Sequence, residues 1–308
     1  LICPAIGGTP TEAWISRDAL EADPELQGLV AGNWLANERL GKFCRKRCLQ
    51  NLIGPIQSGE TIPGDDMGPN HSFKPGFMWS AGIAPIIPYG IRGVIWYQGE
   101  SNAETRSRVR EHGHMFPLLI RQWRQQWGQD EFPFLYVQLP ALNRPEWPWF
   151  RNGQRRTLGH LENLGMAITI DTGHPSNVHP RKKKPVGERL AQWAMGTTYG
   201  LKKYATYSGP LLKVAKRKGD SLVISFNQVG VGLKTTDKKA PRHFEICGTN
   251  GIFHPATARI TSKNTLSVSS PRVLEPKHAR YACLPYPEPP VNLFNSEDLP
   301  ASPFSTEP

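Results

Sequence analysis

Four polar side chains crowd one short stretch of this 308-residue chain: Gln98, Glu100, Ser101 and Asn102, within Trp96-Tyr-Gln-Gly-Glu-Ser-Asn-Ala103. Two chemistries fit them. Gly99-Glu-Ser-Asn-Ala103 follows the G-x-S-x-G pattern of a nucleophile elbow with Ala in the last place, and Ser101 would then attack an ester. Alternatively, the side-chain amides of Gln98 and Asn102 donate hydrogen bonds to an oxyanion and the nucleophile lies elsewhere. A second candidate group is His179, since imidazole is the side chain that accepts and returns a proton near neutral pH. A third is the pair Gly7-Gly8, where a missing Cβ lets the backbone take positive φ and approach a ligand closely.

These residues need elements to position them. Val94, Ile95, Trp96 and Tyr97 form an apolar, β-prone run, so residues 94–97 read as a strand that turns at Gly99. The turn opens a helix with Ser101 or Asn102 as its N-cap, running to about Glu111. Gly113 and Pro117 interrupt it. Phe116, Leu119, Ile120, Trp123 and Trp127 then mark one face of a further helix that ends at Gly128. Residues 132–139 and 165–171 read as strands, with a helix within 146–163 between them, and this alternation predicts a parallel α/β sheet. His179 follows the second of these strands and precedes a helix carrying Val186, Leu190 and Trp193. It therefore lies at the carboxyl end, where open α/β sheets place ligands. Residues 1–6 read as the end of a strand and 24–51 as loosely helical. Residues 52–89, dense in Gly and Pro, read as a long irregular loop in which His71, Phe73 and Trp79 would suit a sugar face. Beyond Ser208 short β-prone runs separated by turns predict a β-sandwich beginning near Tyr204. The division is thus 1–204 and 205–308.

Composition narrows the class. The net charge is +11, but the excess is spread along the chain, and the densest runs, Arg45-Lys-Arg47 and Arg181-Lys-Lys-Lys184, are short. With no RNA-recognition or zinc-finger pattern, no nucleic-acid partner is expected. No apolar run approaches the roughly 18 residues of a membrane span. Five cysteines cannot all pair, and buried free thiols are the expectation. Cys44 and Cys48 have half a metal site's spacing with no second pair to complete it, and His174 and His179 lack the paired spacing of zinc ligands, so no metal is expected.

Together these stretches resemble the sialate O-acetylesterase family of SGNH-type hydrolases. Gly7-Gly-Thr-Pro-Thr-Glu-Ala-Trp14 is similar to that family's second block and Arg92-Gly-Val-Ile-Trp-Tyr-Gln-Gly-Glu-Ser-Asn-Ala103 to its third. Val178-His-Pro-Arg181 with Val186-Gly-Glu-Arg-Leu190 is similar to the last block, and Asn292-Leu-Phe-Asn295 with Leu299-Pro-Ala-Ser-Pro-Phe304 to the C-terminal end. The resemblance implies a flavodoxin-like three-layer hydrolase domain followed by a β-sandwich-like accessory domain. It implies removal of acetyl groups from sialic acid or related sugars by a Ser–His mechanism without a cofactor, and a periplasmic or extracellular location. Xylan and other polysaccharide acetyl esters are rival substrates. A carbohydrate-binding protein that kept the fold and lost catalysis is the alternative from another class. Carried across, His179 is the base, Gly8 (or Gly7) the backbone donor of the oxyanion hole, and Gln98 or Asn102 its side-chain donor, with Ser101 demoted to the turn. The family's Asp before the His is replaced here by Asn177 and Ser176. Asn can hold a ring but supplies no charge, and Asp171 is the nearest substitute. The family's first block, which carries the nucleophile, has no counterpart. Since the chain starts on Leu1, that block is expected upstream, and either the sheet shows a gap or an exposed edge or the parent protein is longer.

Overall fold

In the computed structural model, which describes residues 1–87, 89–129 and 131–307, the chain forms two compact units. The first comprises residues 1–94, 98–132 and 159–162; the second comprises 95–97, 133–158 and 163–308.

The first unit is helical. Ser16 caps α1 (Arg17–Ala22) by accepting from the Ala19 N–H. Helix α2 spans Lys42–Gln57 and extends into the stretch expected to be irregular. The long α3 (Arg106–Gln126) departs most from expectation, because it is one helix, not two. It starts after Thr105, whose Oγ1 accepts from the Arg108 N–H, so neither Ser101 nor Asn102 is its cap. It also runs straight through Gly113 and Pro117. An interior proline costs about 3 kcal/mol. Burial of Met115, Phe116, Leu119, Ile120 and Trp123 offsets this at roughly 1.5–3 kcal/mol per large side chain. Trp123 Nε1 also donates to the Trp14 carbonyl at 2.9 Å. Residues 1–6 are exposed and irregular where the end of a strand was expected. A strand needs a ladder partner, and among the described residues none pairs with them. A small ribbon, β1 (Gly64–Asp65) against β2 (Gly68–Pro69), completes this unit.

The second unit carries a three-stranded sheet in the order β3 (Val94–Trp96; its Val94 is assigned to the first unit), β4 (Phe134–Val137), β5 (Leu164–Ala167). Strands β4 and β5 run parallel with Phe134 opposite Leu164, as the alternation of strands and helices requires. β3 lies at an edge, with Ile95 exposed. α4 (Trp147–Thr157) and α5 (Lys184–Trp193) follow their strands, and Trp193 Nε1 fastens α5 to the Met166 carbonyl on β5 at 2.8 Å.

Beyond residue 204 the strands are β6 (Leu211–Lys218), β7 (Ser221–Asn227), β8 (Leu233–Thr235), β9 (Phe244–Cys247), β10 (His254–Ser262), β11 (Thr265–Ser269), β12 (His278–Tyr281), β13 (Leu293–Asn295) and β14 (Phe304–Ser305). Seven of them form one sheet, β14-β12-β9-β10-β11-β7-β6, antiparallel at each neighbouring pair; β13 and β8 form a separate ribbon. The expected pair of packed sheets is thus a single large sheet with a small companion. Strands β7, β11 and β12 bury every second residue, as on β7 with Leu222, Ile224 and Phe226, and this gives one apolar face. Phe226, Phe244, Tyr281 and Phe304 meet on that face.

Candidate active site

The site grows from two turns. Gly8 sits at φ +81°, a conformation that costs a residue with a Cβ, and an added Cβ would lie 3.1 Å from the Phe73 ring. The short helical turn Thr11–Trp14 follows. The other turn comes at the end of β3, where Gly99 takes φ +137° and its carbonyl accepts from the Asn102 N–H at 3.0 Å. This turn brings Gln98 and Asn102 side by side.

The two turns are laced together by hydrogen bonds within the first unit. Asn102 Oδ1 accepts from the Thr11 N–H at 2.9 Å and from Gln98 Nε2 at 2.7 Å, and lies 3.0 Å from Thr11 Oγ1. Thr11 Oγ1 also reaches Gln98 Oε1 at 2.8 Å. Gln98 Nε2 donates in addition to the Thr9 carbonyl at 3.1 Å. Asn102 Nδ2 donates to Glu12 Oε2 at 2.8 Å. Both amides are therefore oriented by their partners, since of an amide's two ends only the NH2 can donate to a carbonyl or carboxylate oxygen. Asn102 is 0% exposed and Gln98 9%. Both expected side-chain donors are thus buried, Gln98 slightly less completely than Asn102.

Behind Asn102 runs a chain of ions. Glu12, fully buried, also accepts from Arg108; Arg108 donates to Glu111, and Glu111 accepts from Arg39 at 2.6 Å. Burial works against the charge on Arg108, but Glu12 and Glu111 outweigh it and raise its pKa. Burial, with help from the Arg108 charge, lowers the pKa of His112 to about 3, so that imidazole is neutral at physiological pH.

Ser101 is buried, and its Oγ donates to the Gly8 carbonyl at 2.8 Å. A hydroxyl held this way braces the glycine turn, and among the described residues no histidine is bonded to it. Cys44 lies against Ser101, and burial raises its thiol pKa well above the ordinary range, so it stays protonated and weakly nucleophilic.

His179 and Asn177 belong to the second unit, on the exposed loop between β5 and α5. Asn177 Oδ1 accepts from the backbone N–H of His179 at 2.9 Å. It thereby shapes the turn and leaves the imidazole alone; among the described residues no hydrogen-bond partner reaches that ring. The N–H of Asn177 in turn donates to His174 Nδ1 at 3.0 Å. Asp171 is committed to Arg189 through both oxygens, at 2.6 and 2.7 Å. Farther along the loop Lys183 Nζ lies 4.7 Å from the centroid of the Tyr97 ring, the residue before Gln98.

Thr11, Glu12 and Arg108 were not picked out from sequence. Glu12 stands in the Thr-Pro-Thr-Glu run after the glycines, but nothing local marks it as buried. Its partners lie 90 and 96 residues away.

Residues 81–195 match the family described as carbohydrate esterase, sialic acid-specific acetylesterase. The chain is 31% identical over 348 aligned residues to sialate O-acetylesterase of Rattus norvegicus, covering 99% of this chain and 59% of that protein. It is 30% identical to sialate O-acetylesterase of Homo sapiens, covering 88% of this chain and 48% of that one. A carbohydrate acetylesterase of known structure from Xanthomonas citri superposes with a TM-score of 0.75 at 30% identity, over 98% of this chain and 59% of its own. These matches place the chain, with its two laced turns, in the sialate O-acetylesterase family of carbohydrate esterases.

Proposed function

We propose that this protein is a carbohydrate O-acetylesterase acting on acetyl esters of sialic acid or related sugars by a Ser–His mechanism. The carrying observation is the pair of laced turns, with Gly8 at positive φ and the Gln98 amide fixed beside it. In the reaction, the Gly8 N–H and Gln98 Nε2 stabilise the oxyanion. Gln98 exchanges its longer bond, to the Thr9 carbonyl, for one to the developing charge, and Asn102 keeps the amide aimed. His179 takes the proton from the serine of the family's first block, which has no counterpart in these 308 residues, as that serine attacks the acetyl carbon; it passes the proton to the departing sugar oxygen, and water then releases acetate from the serine. No metal or cofactor is needed for these steps. The partner is the acetylated sugar, and His71 with Phe73, their rings 4.8 Å apart beside Gly8, supply an aromatic wall for it. Residues 1–204 form the hydrolase domain, of flavodoxin-like three-layer type, and 205–308 the β-rich accessory domain. Parallel β4 and β5 with interleaved helices, followed by uninterrupted antiparallel strands, support that division. By family, the protein works in the periplasm or outside the cell.

A second reading is a carbohydrate-binding protein that no longer cleaves. The lack of a carboxylate at the His179 imidazole favours it, as Asn177 spends its oxygen on the backbone. Acetate release from O-acetylated sialic acid, acetylated xylo-oligosaccharides and 4-nitrophenyl acetate, measured on protein that includes the first-block serine, separates the two. Release from the sialic acid ester, lost in Gln98→Ala, is the expected result. Release only from the xylan ester moves the substrate class. Binding of the sugars without release from any ester overturns the esterase reading.

A further inference from the structure

We infer that Glu12 is a positioning residue of the oxyanion hole: its carboxylate, neutralised by Arg108, sets the orientation of the Asn102 amide and through it that of Gln98. The inference deepens the esterase reading and rests on it for its catalytic consequence, though not for the orientation itself.

The geometry gives each atom one role. Two donors converge on Glu12, Asn102 Nδ2 on one oxygen and Arg108 on the other. A carboxylate is acceptor-only, so it can satisfy both at once and cannot satisfy an amide oxygen. The Asn102 amide must therefore face Glu12 with its nitrogen. Its oxygen then points to the other side, where it collects the Thr11 N–H and Gln98 Nε2. Gln98 follows: with Nε2 drawn to Asn102 and Thr9, its oxygen turns to Thr11 Oγ1. The end product is a Gln98 amide presented nitrogen-first beside the Gly8 turn, the orientation an oxyanion requires.

The charge of Glu12 has to be hidden for this to work, since a bare carboxylate near a developing oxyanion would oppose it. Arg108 balances it, and Glu111 and Arg39 carry the alternation of signs to the surface. This also makes the test feasible. Removing the charge of Glu12 leaves Arg108 still paired with Glu111, so no lone ion remains buried. In Glu12→Gln the new side chain offers one oxygen and one NH2 group to two donors. One donor then faces an NH2 group and loses its acceptor.

The NMR arm uses the whole chain, and the kinetic arm uses protein that also includes the first-block serine. The side-chain NH2 resonances of Gln98 and Asn102 are recorded by NMR, assigned from Gln98→Ala and Asn102→Ala, and followed in Glu12→Gln. The expected result is a displaced or doubled Gln98 pair. An unmoved Gln98 pair in folded Glu12→Gln overturns the inference, whatever the enzyme cleaves. Kinetics supply the second arm. Glu12→Gln should lower kcat at least tenfold with KM within twofold, and should lower it no further in the Gln98→Ala background. An equal loss in that background would show a general structural effect and also overturn the inference. Absence of acetate release by the wild type counts against the esterase reading alone, and the NMR arm then decides on Glu12. If Glu12→Gln does not fold, Glu12→Asp is read in the same two ways. It keeps both acceptors and withdraws them by one methylene.

Discussion

Ser101 gives its hydroxyl proton to the carbonyl oxygen of Gly8, 2.8 Å away across 93 residues of sequence. The bond ties the two turns of the site beside the one that Asn102 makes to Thr11. Ser101→Ala is expected to cost about 0.5–1.5 kcal/mol of stability, the worth of one hydrogen bond. Turnover on a small acetyl ester should fall less than about tenfold, whereas loss of a nucleophile costs several orders of magnitude. Turnover numbers beside thermal melts of the same two proteins decide it.

The adjacent glycines should respond differently to the same change. At Gly7 an added Cβ meets nothing within 4 Å, while at Gly8 it meets the Phe73 ring in a positive-φ backbone. Gly7→Ala should leave stability within about 0.5 kcal/mol. Gly8→Ala should destabilise by about 1–2 kcal/mol and, by turning its N–H, lower kcat about 100-fold or more. Equal tolerance of both substitutions would remove Gly8 from the hole.

His112 builds acid sensitivity into the core. Its folded pKa is about 3, against an ordinary 6.5, because burial disfavours the charged ring. Above pH 6.5 both folded and unfolded states hold it neutral. Between 6.5 and about 3 only the unfolded chain takes up the proton, so stability falls with falling pH, by at most about 1.4 kcal/mol per unit. Phe116 stacks on the ring at 5.3 Å, so His112→Phe keeps the shape. Melts across pH 7 to 4 should show a shallower loss for His112→Phe than for the wild type. Other titrating groups act on both proteins, so the difference between the two slopes reports His112.

Asn177→Asp should leave the loop in place, because a carboxylate oxygen can accept the His179 N–H as the amide oxygen does. The added charge next to an imidazole favours its protonated form. The acid limb of the pH–rate profile should therefore shift upward, with turnover rising about tenfold or more. An unchanged profile would mean that no charge at this position reaches the imidazole.

Much of this architecture can be read from sequence because its signals are local. β-prone runs bounded by turns mark β7, β9 and β11 to within a residue or two, and the Gly-Gly and Gln-Gly-Glu-Ser-Asn turns announce themselves by residue type. What escapes is what depends on distant partners. Pro117 reads as a break, yet the buried residues around it hold α3 in one piece. Glu12 reads as an ordinary acid in a polar run, and only the fold brings Asn102 and Arg108 to its two oxygens. The choice between Gln98 and Asn102 is likewise invisible in a stretch where both are polar and four residues apart. Only the fold separates them, by the partners that each amide is given: Thr9 and Thr11 for Gln98, Glu12 and Thr11 for Asn102.

The bidentate bridge between Asp171 and Arg189 closes a ring of chain around the exposed loop that carries His174, Asn177 and His179. Arg189 also donates to the Ile168 carbonyl at 2.7 Å, so the clasp is riveted to the strand side as well. A loop pinned at its base explores far fewer arrangements than a free one, and the entropy of bringing its tip to any one place has already been lost on folding. For a base borne on that tip, the clasp raises the effective molarity of the imidazole without touching it. On the proposed role of His179 as base, a residue 10 positions from it would govern how often the ring is where the reaction needs it, and leave what the ring can do on arrival unchanged.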